Sequence, residues 1–241
     1  MIKKLKRLLK ENRGYHKKQI SLLQELEWAN VYHDSIRGID WLENLPLNIG
    51  RWAGNYAFFY VLHRILQDCK PDRILEMGLG ESTKFISKYL ENSLTNSTHL
   101  VIEHDKQWSN KFTANFELSE RTKICICPLE EKTTLGFSYN SYSNFENAIN
   151  TKAFDLYVVD GPIGSSRFSR YDILEAIKHV DKSKEFIVLF DDMNRYGEKD
   201  TYRAVLDFLS NKSIEVFQGR YQGVKEVKII ATQKFKFLNT I

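Results

Sequence analysis

The feature that most constrains the fold of this chain is a regular alternation, from Arg73 onward, of short apolar runs with longer amphipathic stretches. Two of the runs, DLYVVD and FIVLFD, are almost wholly apolar, which is typical of strands that helices cover on both faces. Alternating strands and helices favour a mainly parallel sheet with right-handed crossovers. We therefore predict a doubly wound α/β fold.

The predicted sheet has about seven strands, and its last two strands lack a helix between them. The segment that joins them, GRYQGVKE, has no helical pattern, so we expect a closing hairpin and an antiparallel edge. The strands are predicted at residues 73–77, 99–103, 123–127, 154–160, 185–191, 214–218 and 227–232. The helices among them are predicted at residues 83–91, 108–118, 170–180 and 200–209.

The first part of the chain, up to about Asp68, has a helical pattern that ends before Pro71. Proline cannot continue a helix without losing a hydrogen bond. We therefore expect an N-terminal helical segment, residues 1–68, that caps a second unit formed by residues 69–241.

The chain begins with an amphipathic pattern of lysines and apolar residues, namely Ile2, Leu5, Leu8 and Leu9. Such a helix could lie on an anionic membrane or on nucleic acid. It could also be a solvated helix packed on the body or on a second subunit. Charge runs are usually solvated faces, so we favour the second interpretation, expect no nucleic-acid partner, and leave open weak peripheral membrane contact and a homo-oligomer.

Composition indicates an ordinary globular protein, with 42% hydrophobic and 27% charged residues among 241. No run reaches the length of a membrane-spanning helix, and the basic start lacks the apolar core of a signal peptide. We therefore predict a cytoplasmic protein without a transmembrane segment. Cys125 and Cys127 lie two apart in an apolar strand, without a CxxC motif or a histidine partner, which favours buried thiols over a metal site.

A glycine motif, ILEMGLGEST, directly follows the first predicted strand and precedes a helix. Gly78 and Gly80 would let the backbone turn tightly and approach a ligand. Ser82 is positioned to cap the helix that follows. Ligands of open α/β sheets bind beyond the carboxyl ends of the strands, so this loop is a candidate cofactor site.

The charges around this loop distinguish two cofactors. A dinucleotide would place its pyrophosphate on the helix N-terminus, and Thr83 occupies the position of the third glycine of that motif. Glu76 and Glu81 would place negative charge beside that pyrophosphate site, which disfavours a dinucleotide. A sulfonium ligand with a free amino group has the opposite preference, which favours S-adenosylmethionine (SAM) over NAD.

Glu103 ends the second predicted strand, about twenty-five residues after Gly78. A carboxylate there is placed to accept hydrogen bonds from both ribose hydroxyls of a nucleoside. Asp105 is expected to cap the next helix, and His104 to be a packing or surface residue.

Three carboxylates follow the fourth and fifth strands: Asp160, Asp191 and Asp192. Clustered carboxylates raise each other's proton affinity unless a cation holds them, and oxygen ligands of this kind suit Mg²⁺ or Mn²⁺. Asp160 could equally act as a metal-free base, or form a turn before Gly-Pro, and Asp192 could cap a helix. Whether these carboxylates bind a metal or Asp160 acts as a metal-free base is left open.

Two arginines, Arg167 and Arg170, follow Asp160 closely in GSSRFSR. They could clamp an acidic sugar or a phosphate in a bidentate manner. They could equally be solvated residues at the start of a helix.

With these residues, the chain resembles the class I SAM-dependent methyltransferases over residues 73–232, and its fold is accordingly expected to be Rossmann-like. ILEMGLGEST is similar to the glycine-rich first motif of that family, and Glu103 to its ribose-binding acid. The segments EHDKQW and VVDGP with a downstream arginine resemble bacterial and plant O-methyltransferases of sugars and polysaccharides. The acidic residues also resemble metal-dependent sugar and catechol O-methyltransferases, although the catechol group has Asp-Asn where this chain has Asp191-Asp192.

The resemblance implies O-methylation of a sugar or another small hydroxylated acceptor. The cofactor would contact Glu76, Gly78, Gly80, Ser82, Thr83, Glu103 and Asp160. Asp160 would serve as the base, with a divalent cation as the alternative means of acidifying the acceptor. The competing hypothesis is a non-catalytic Rossmann-like protein that helps to assemble a glycan or membrane complex.

Overall fold

A computed structural model describes residues 2–50, 52–150 and 152–241. The side chains of Ile2 and Leu5, part of the predicted amphipathic face, lie outside the described residues. The helices are α1 Ile2–Ile36, α2 Asp40–Glu43, α3 Tyr56–Arg64, α4 Glu81–Asn92, α5 Lys106–Asn115, α6 Phe145–Ile149, α7 Ile173–Ile177 and α8 Tyr196–Asn211, with a π-helical turn at Ile65–Cys69 and a 3₁₀ segment at Gln233–Asn239. The strands are β1 Arg73–Met77, β2 Thr98–Glu103, β3 Thr122–Ile126, β4 Leu129–Thr134, β5 Phe137–Tyr142, β6 Leu156–Val159, β7 Ile187–Phe190, β8 Phe217–Gln222 and β9 Glu226–Ala231.

The main sheet has seven strands in the order β3-β2-β1-β6-β7-β9-β8. The first five are parallel, whereas β9 runs antiparallel to both β7 and β8. The predicted parallel sheet with a closing hairpin and an antiparallel edge is thereby confirmed.

Apolar layers cover both faces of this sheet, as the apolar strands predicted. Alternate strand residues point to opposite faces. Ile74 and Val158 join a core built with α3 and α4, and Leu75 and Val159 join a second core built with α7 and α8. The α3 side chains are almost all buried, so this part of the N-terminal segment packs directly on the sheet.

The last sheet strand differs from the prediction, because β8 is Phe217–Gln222 rather than residues 214–218. Ile214 is buried, but it follows α8 in a turn whose amide donates to the Leu209 carbonyl at 2.9 Å. An edge strand that buries only alternate residues, here Gly219 and Tyr221, carries a weak apolar signal.

The hairpin of β4 and β5 was not predicted at all. Its two strands pair only with each other and are largely polar and exposed. The turn between them uses Leu135 and Gly136, both with positive φ, which is the backbone of a type I′ turn. Because leucine rarely occupies such a position, the sequence lacks the usual turn signal.

The helix predicted at residues 170–180 is reduced to α7, Ile173–Ile177. Phe168 and Arg170 both have positive φ, which a right-handed helix excludes. The chain ahead of α7 is therefore an irregular loop, and Arg170 belongs to that loop.

Two further findings concern the sequence predictions. Within residues 2–50, 52–150 and 152–241, the structure contains no helix with both the length and the apolar character needed to cross a bilayer. Cys127 is buried and Cys125 half-buried, with their sulfurs 3.8 Å apart as free thiols.

Candidate functional site

The candidate site lies where the strand order of the main sheet reverses, between β1 and β6. β1 pairs with β2 on one side and with β6 on the other. Crevices at the carboxyl ends of strands on either side of such a reversal are the usual ligand sites of open α/β sheets.

The glycine loop after β1 is shaped by two different requirements. Gly78 has φ +102, and a Cβ there would lie 3.2 Å from the Gly161 nitrogen. Glycine at position 78 is therefore required for folding, because the backbones of the loops after β1 and β6 are in contact there. Gly80 is extended, and a Cβ on it would meet nothing within 4 Å. The absence of a side chain at Gly80 leaves open space above the loop. A ligand could occupy this space and contact the loop backbone.

The start of α4 differs from the prediction that Ser82 caps it. The helix begins at Glu81 with Gly80 as its N-cap residue, and Ser82 lies buried in the first turn. The Gly80 amide donates to Thr83 Oγ1 at 3.0 Å. A side-chain cap at Ser82 is excluded because the helix already includes that residue.

Glu76 lies fully buried under the loop. Its Oε2 accepts a hydrogen bond from Thr83 Oγ1 at 2.7 Å and lies 3.0 Å from His99 Nε2. Its Oε1 has no hydrogen-bond partner among the described residues. One carboxylate oxygen therefore remains free for a donor that the chain itself does not provide.

Glu103 at the end of β2 is buried and is held by backbone amides. Oε1 accepts from His104 N at 2.6 Å and from Asp105 N at 2.7 Å, and Oε2 accepts from Leu79 N at 3.0 Å. The carboxylate thus joins the end of β2 to the glycine loop. Because a carboxylate oxygen has two lone pairs, Oε2 keeps capacity for a second donor.

The start of α5 closes this half of the site. Asp105 caps the helix, as predicted, by accepting from Gln107 N and Trp108 N at 2.8 and 3.0 Å. The Trp108 indole donates to the Leu79 carbonyl at 2.8 Å, which fixes the loop from the other side. No sequence pattern predicted this contact of Trp108.

The acidic trio is brought together at the ends of β6 and β7, as predicted: one oxygen each of Asp160, Asp191 and Asp192 lie within 4.8 Å of one another. Arg170 Nη2 lies 3.1 Å from Asp160 Oδ1 and 2.9 Å from Asp192 Oδ2. Lys225 Nζ lies 3.1 Å from Asp191 Oδ2 and 3.2 Å from Asp192 Oδ1. Two internal cations therefore already offset most of the negative charge.

The pKa values of the trio follow from burial and from these cations. Burial raises the pKa of Asp160 above its ordinary value although Arg170 opposes the rise. Burial likewise raises the pKa of Asp191 against the opposing charge of Lys225. Burial would also raise the pKa of Asp192, but Arg170 and the two neighbouring cations, Lys225 and Arg195, hold it below its usual range. The three carboxylates are consequently not equivalent in proton affinity.

The oxygens of this donor set already contact two cationic side chains. Each aspartate contacts Arg170 or Lys225, and Lys225 is anchored further by the Ala53 carbonyl at 2.9 Å. A resident Mg²⁺ would have to displace an ammonium or a guanidinium, or add its charge beside theirs. The trio therefore does not need a metal to offset its charge, and the predicted divalent cation stays a prediction.

The two predicted substrate arginines lie in different environments. Arg170 is buried. Its Nη2 contacts the carboxylates of Asp160 and Asp192, and its Nη1 donates to the backbone carbonyls of Val159 and Asp191. Arg167 pairs with Asp200, stacks 4.3 Å from the Phe137 ring centroid, and has 40% of its side chain exposed. Only Arg167 of the pair therefore extends to solvent.

Two residues of the site were missed by sequence reasoning. Lys225 lies in the turn between β8 and β9, far along the chain from the carboxylates that it holds. Tyr142, on the unpredicted hairpin, is fully buried with its hydroxyl beside Gly161. That hydroxyl has no hydrogen-bond partner within the described part of the chain. Neither residue belongs to a local motif.

No protein-family model and no curated protein matches this sequence. Solved structures do match it. An O-methyltransferase from Bacillus cereus in complex with S-adenosylhomocysteine (SAH) is similar at a TM-score of 0.52 and 14% identity, over 88% of this chain and 91% of that one. An O-methyltransferase from Streptomyces achromogenes, involved in tomaymycin synthesis and solved with SAM, is similar at 0.50 and 15% identity, over 85% and 88%.

At these identities the likeness is one of fold. It covers most of the length of both chains in each comparison. The chain has the Rossmann-like fold of the class I, SAM-dependent O-methyltransferases.

Proposed function

We propose that this protein is a SAM-dependent methyltransferase that acts on a hydroxyl oxygen of a small acceptor. The single observation that carries the proposal is the open space over Gly80 at the strand-order reversal, with the buried carboxylate of Glu103 and the half-buried carboxylate of Asp160 at the neighbouring strand ends. Similar folds that bind SAM or SAH support it.

The unused acceptors of the site suit this cofactor. Glu103 Oε2 can accept a further bond from a ribose hydroxyl, and the free Oε1 of Glu76 can accept from an amino group or from a water bound to it. Ser82 and Thr83 form the first turn of the helix beneath the open space. The buried carboxylates would repel the pyrophosphate of NAD, so cofactor selection follows from charge.

Asp160 is the candidate base. SAM would supply a methyl group already activated by its sulfonium, so the chain has to align the acceptor and remove its proton. Alignment alone lowers such barriers by as much as about 7–11 kcal/mol. The raised pKa of Asp160 brings its proton affinity closer to that of a useful base near neutral pH. Arg170, bonded to the same carboxylate, would fix its orientation.

We propose that residues 48–50, 52 and 53 cover the acceptor. The Asn48 amide donates to Glu81 Oε2 at 3.0 Å beside the glycine loop, and the Ala53 carbonyl accepts from Lys225 beside the trio. Between these anchors Trp52 is 96% exposed. An unoccupied aromatic ring can pack on the C–H face of a sugar, and Arg167 could bind an acidic group. A sugar or polysaccharide is therefore the proposed acceptor class.

The divalent cation predicted from the sequence is not needed for this proposal. It stays a prediction for the acceptor-bound protein, with Asp160, Asp191 and Asp192 as its ligands. Its test is turnover after EDTA treatment and again after addition of Mg²⁺. Activity unchanged by EDTA would assign proton removal to Asp160 alone.

Cofactor binding is tested by calorimetry of the full chain with SAH, SAM and NAD. We expect SAH and SAM to bind and to raise the melting temperature, and NAD not to bind. Gly80→Val should abolish SAH binding without lowering the melting temperature of the free protein, because its side chain enters open space. The matched control is Gly78→Val, which should destabilise the protein itself. NAD binding, or no nucleoside binding at all, would refute the proposal, and the latter would favour a non-catalytic assembly protein.

The role of Asp160 is tested with the conservative change Asp160→Asn, once an acceptor is known. We expect turnover to be lost while SAH affinity is retained, because the amide cannot accept the proton. Surviving turnover would make Asp160 structural.

A further inference from the structure

A row of polar side chains crosses one face of the main sheet beneath the glycine loop. It consists of Glu76 on β1, His99 on β2 and Thr122 on β3, and the first two are buried. On this face Ile74 joins the apolar core built with α3 and α4. Burying polar groups in such a core costs free energy unless they satisfy one another or a ligand.

His99 lies beneath Glu76 as seen from the carboxyl edge of the sheet. In the parallel pairing of β1 with β2, the partner of His99 is Ile74, two residues before Glu76. Ile74 and Glu76 point to the same face because side chains alternate along a strand. A cofactor at the carboxyl end of β1 would lie on the far side of Glu76, so His99 could act on it only through that carboxylate.

Both contacts that Glu76 makes with side chains of the described residues fall on the same carboxylate oxygen. Thr83 Oγ1, in the first turn of α4, donates to Oε2 at 2.7 Å, and His99 Nε2 lies 3.0 Å from the same atom. The other oxygen, Oε1, has no hydrogen-bond partner there. The carboxylate is therefore held by one oxygen, and the other is left for a donor from outside the chain.

The contact between His99 and Glu76 is electrostatic rather than a well-aligned hydrogen bond. Nε2 is at ion-pair distance from Oε2, but it has no hydrogen-bond partner among residues 2–50, 52–150 and 152–241. Its other ring nitrogen, Nδ1, lies 3.5 Å from Thr122 Oγ1. Polar groups interact strongly in a dry interior, and within the described chain His99 is the one basic side chain at ion-pair distance from Glu76.

The same contacts connect His99 to the backbone of the glycine loop. Thr83 Oγ1, which donates to Glu76, also accepts from the Gly80 amide at 3.0 Å. Gly80 borders the open space in which the cofactor is proposed to bind. A displaced Glu76 carboxylate would therefore disturb both its own free oxygen and the loop.

We propose that His99 is a positioning residue for the amino-acid half of the cofactor, holding Glu76 by Oε2 so that Oε1 can accept from the cofactor's ammonium group. This inference rests on the proposed function, which supplies a cofactor with an amino-acid tail. The nucleoside half is assigned to Glu103, whose carboxylate is held by backbone amides and not by His99. Loss of His99 should therefore affect the two halves of the cofactor unequally.

The test compares SAH with 5′-methylthioadenosine, which has the same nucleoside and sulfur but lacks the amino-acid tail. Calorimetry of the full chain measures both affinities. His99→Leu should weaken SAH binding roughly three- to tenfold and 5′-methylthioadenosine binding less than about twofold. His99→Gln, which keeps an N–H donor, should recover most of the SAH affinity. Equal weakening of both ligands, or unchanged SAH affinity in folded His99→Leu, overturns the proposal.

The matched control is His63→Leu. His63 is also a buried histidine, and its Nδ1 forms a hydrogen bond with the Tyr89 hydroxyl in the second half of α4. Its replacement should lower the melting temperature but leave the ratio of the SAH affinity to the 5′-methylthioadenosine affinity unchanged. A change in this ratio as large as that of His99→Leu would mean that general destabilisation causes the effect, and the proposal would be wrong.

The Glu76→Gln background keeps the test decisive if His99→Leu alone does not fold. Glu76→Gln removes the buried charge, so the loss of the imidazole should be tolerated there. Glu76→Gln alone should weaken SAH but not 5′-methylthioadenosine, and adding His99→Leu should not change the ratio of affinities further. A further fall in that ratio would show that His99 acts by another route and would refute the proposal.

The wild-type protein separates failure of this inference from failure of the proposed function. Wild type that binds neither SAH nor 5′-methylthioadenosine would refute both. Wild type that binds both ligands, with their affinity ratio unchanged in folded His99→Leu, would refute the role of His99 and leave the proposed function standing.

Discussion

The two halves of the candidate site both bury carboxylates at strand ends, but they stabilise them by different means. In the glycine-loop half, Glu103 is held by three backbone amides, from Leu79, His104 and Asp105. In the acidic half, the trio is held by the side chains of Arg170 and Lys225. The first arrangement is rigid and local, whereas the second depends on two long side chains from distant segments.

This difference has a consequence for stability and for proton affinity. Backbone amides cannot be removed by a side-chain substitution, so the carboxylate of Glu103 cannot lose its donors. Each carboxylate of the trio can lose its cation by one substitution, which would leave a buried, unpaired charge. The following substitutions test this contrast, beginning with the largest expected effect.

Lys225→Met should lower the free energy of unfolding by about 3–5 kcal/mol at neutral pH, because it leaves Asp191 and Asp192 without their ammonium partner. Chemical denaturation measures the loss. Lys225→Arg, which keeps the charge, should lose less, and Lys182→Met, at an exposed position, should change little.

The loss in Lys225→Met should shrink as the pH falls. Removing the cation raises the folded-state pKa of Asp191 further above its unfolded value, so the folded state binds more protons and gains stability on acidification. Denaturation of the variant and the wild type at pH 5 and pH 8 measures this. A pH-independent difference would show that Lys225 acts by packing rather than by charge.

Glu103→Ala should reduce SAH affinity by roughly 1.5–3 kcal/mol, because it removes a charged acceptor for the ribose hydroxyls. Calorimetry on the folded variant measures this loss. Glu103→Gln keeps one acceptor oxygen and should lose less. Unchanged affinity in a folded Glu103→Ala protein would show that another carboxylate binds the ribose.

Asp105→Ala should cost about 1 kcal/mol of stability, the usual value of a lost N-cap, since two amides at the start of α5 lose their acceptor. Thermal or urea unfolding is the measurement. Asp105→Asn retains the acceptor and should remain close to the wild type. Equal losses in both variants would indicate that charge rather than capping is important at this position.

Tyr142→Phe should have the smallest effect, a change between zero and a gain of about 1 kcal/mol, because the hydroxyl that it removes is buried without a partner among the described residues. Tyr157→Phe is the matched control. The Tyr157 hydroxyl accepts from the Phe154 amide at 2.9 Å, so its removal should destabilise the protein. A large loss of stability in Tyr142→Phe would mean that its hydroxyl has a partner in solution.

The sequence alone determined the parts of this protein that depend on contiguous residues. The apolar runs predicted the parallel strands, since burial on both faces leaves little choice of residue. The glycine motif, Glu103 and the Asp105 cap were predictable because a strand end, a turn and a helix start follow one another within a few residues. Asp160, Asp191 and Asp192 could be grouped because parallel strands end at one edge.

Only the tertiary structure decided how the trio is neutralised and what surrounds it. Lys225 reaches the site from the hairpin of β8 and β9 at the sheet edge, and Tyr142 reaches it from the unpredicted hairpin of β4 and β5. Neither residue belongs to a periodic pattern or a local motif in the sequence. The cap of α4 changed from Ser82 to Gly80 because the backbone of the loop, packed on Gly161, fixes where the helix begins. Contacts between residues distant in sequence depend on chain topology, and a buried charge selects its partner from whatever the fold brings within reach.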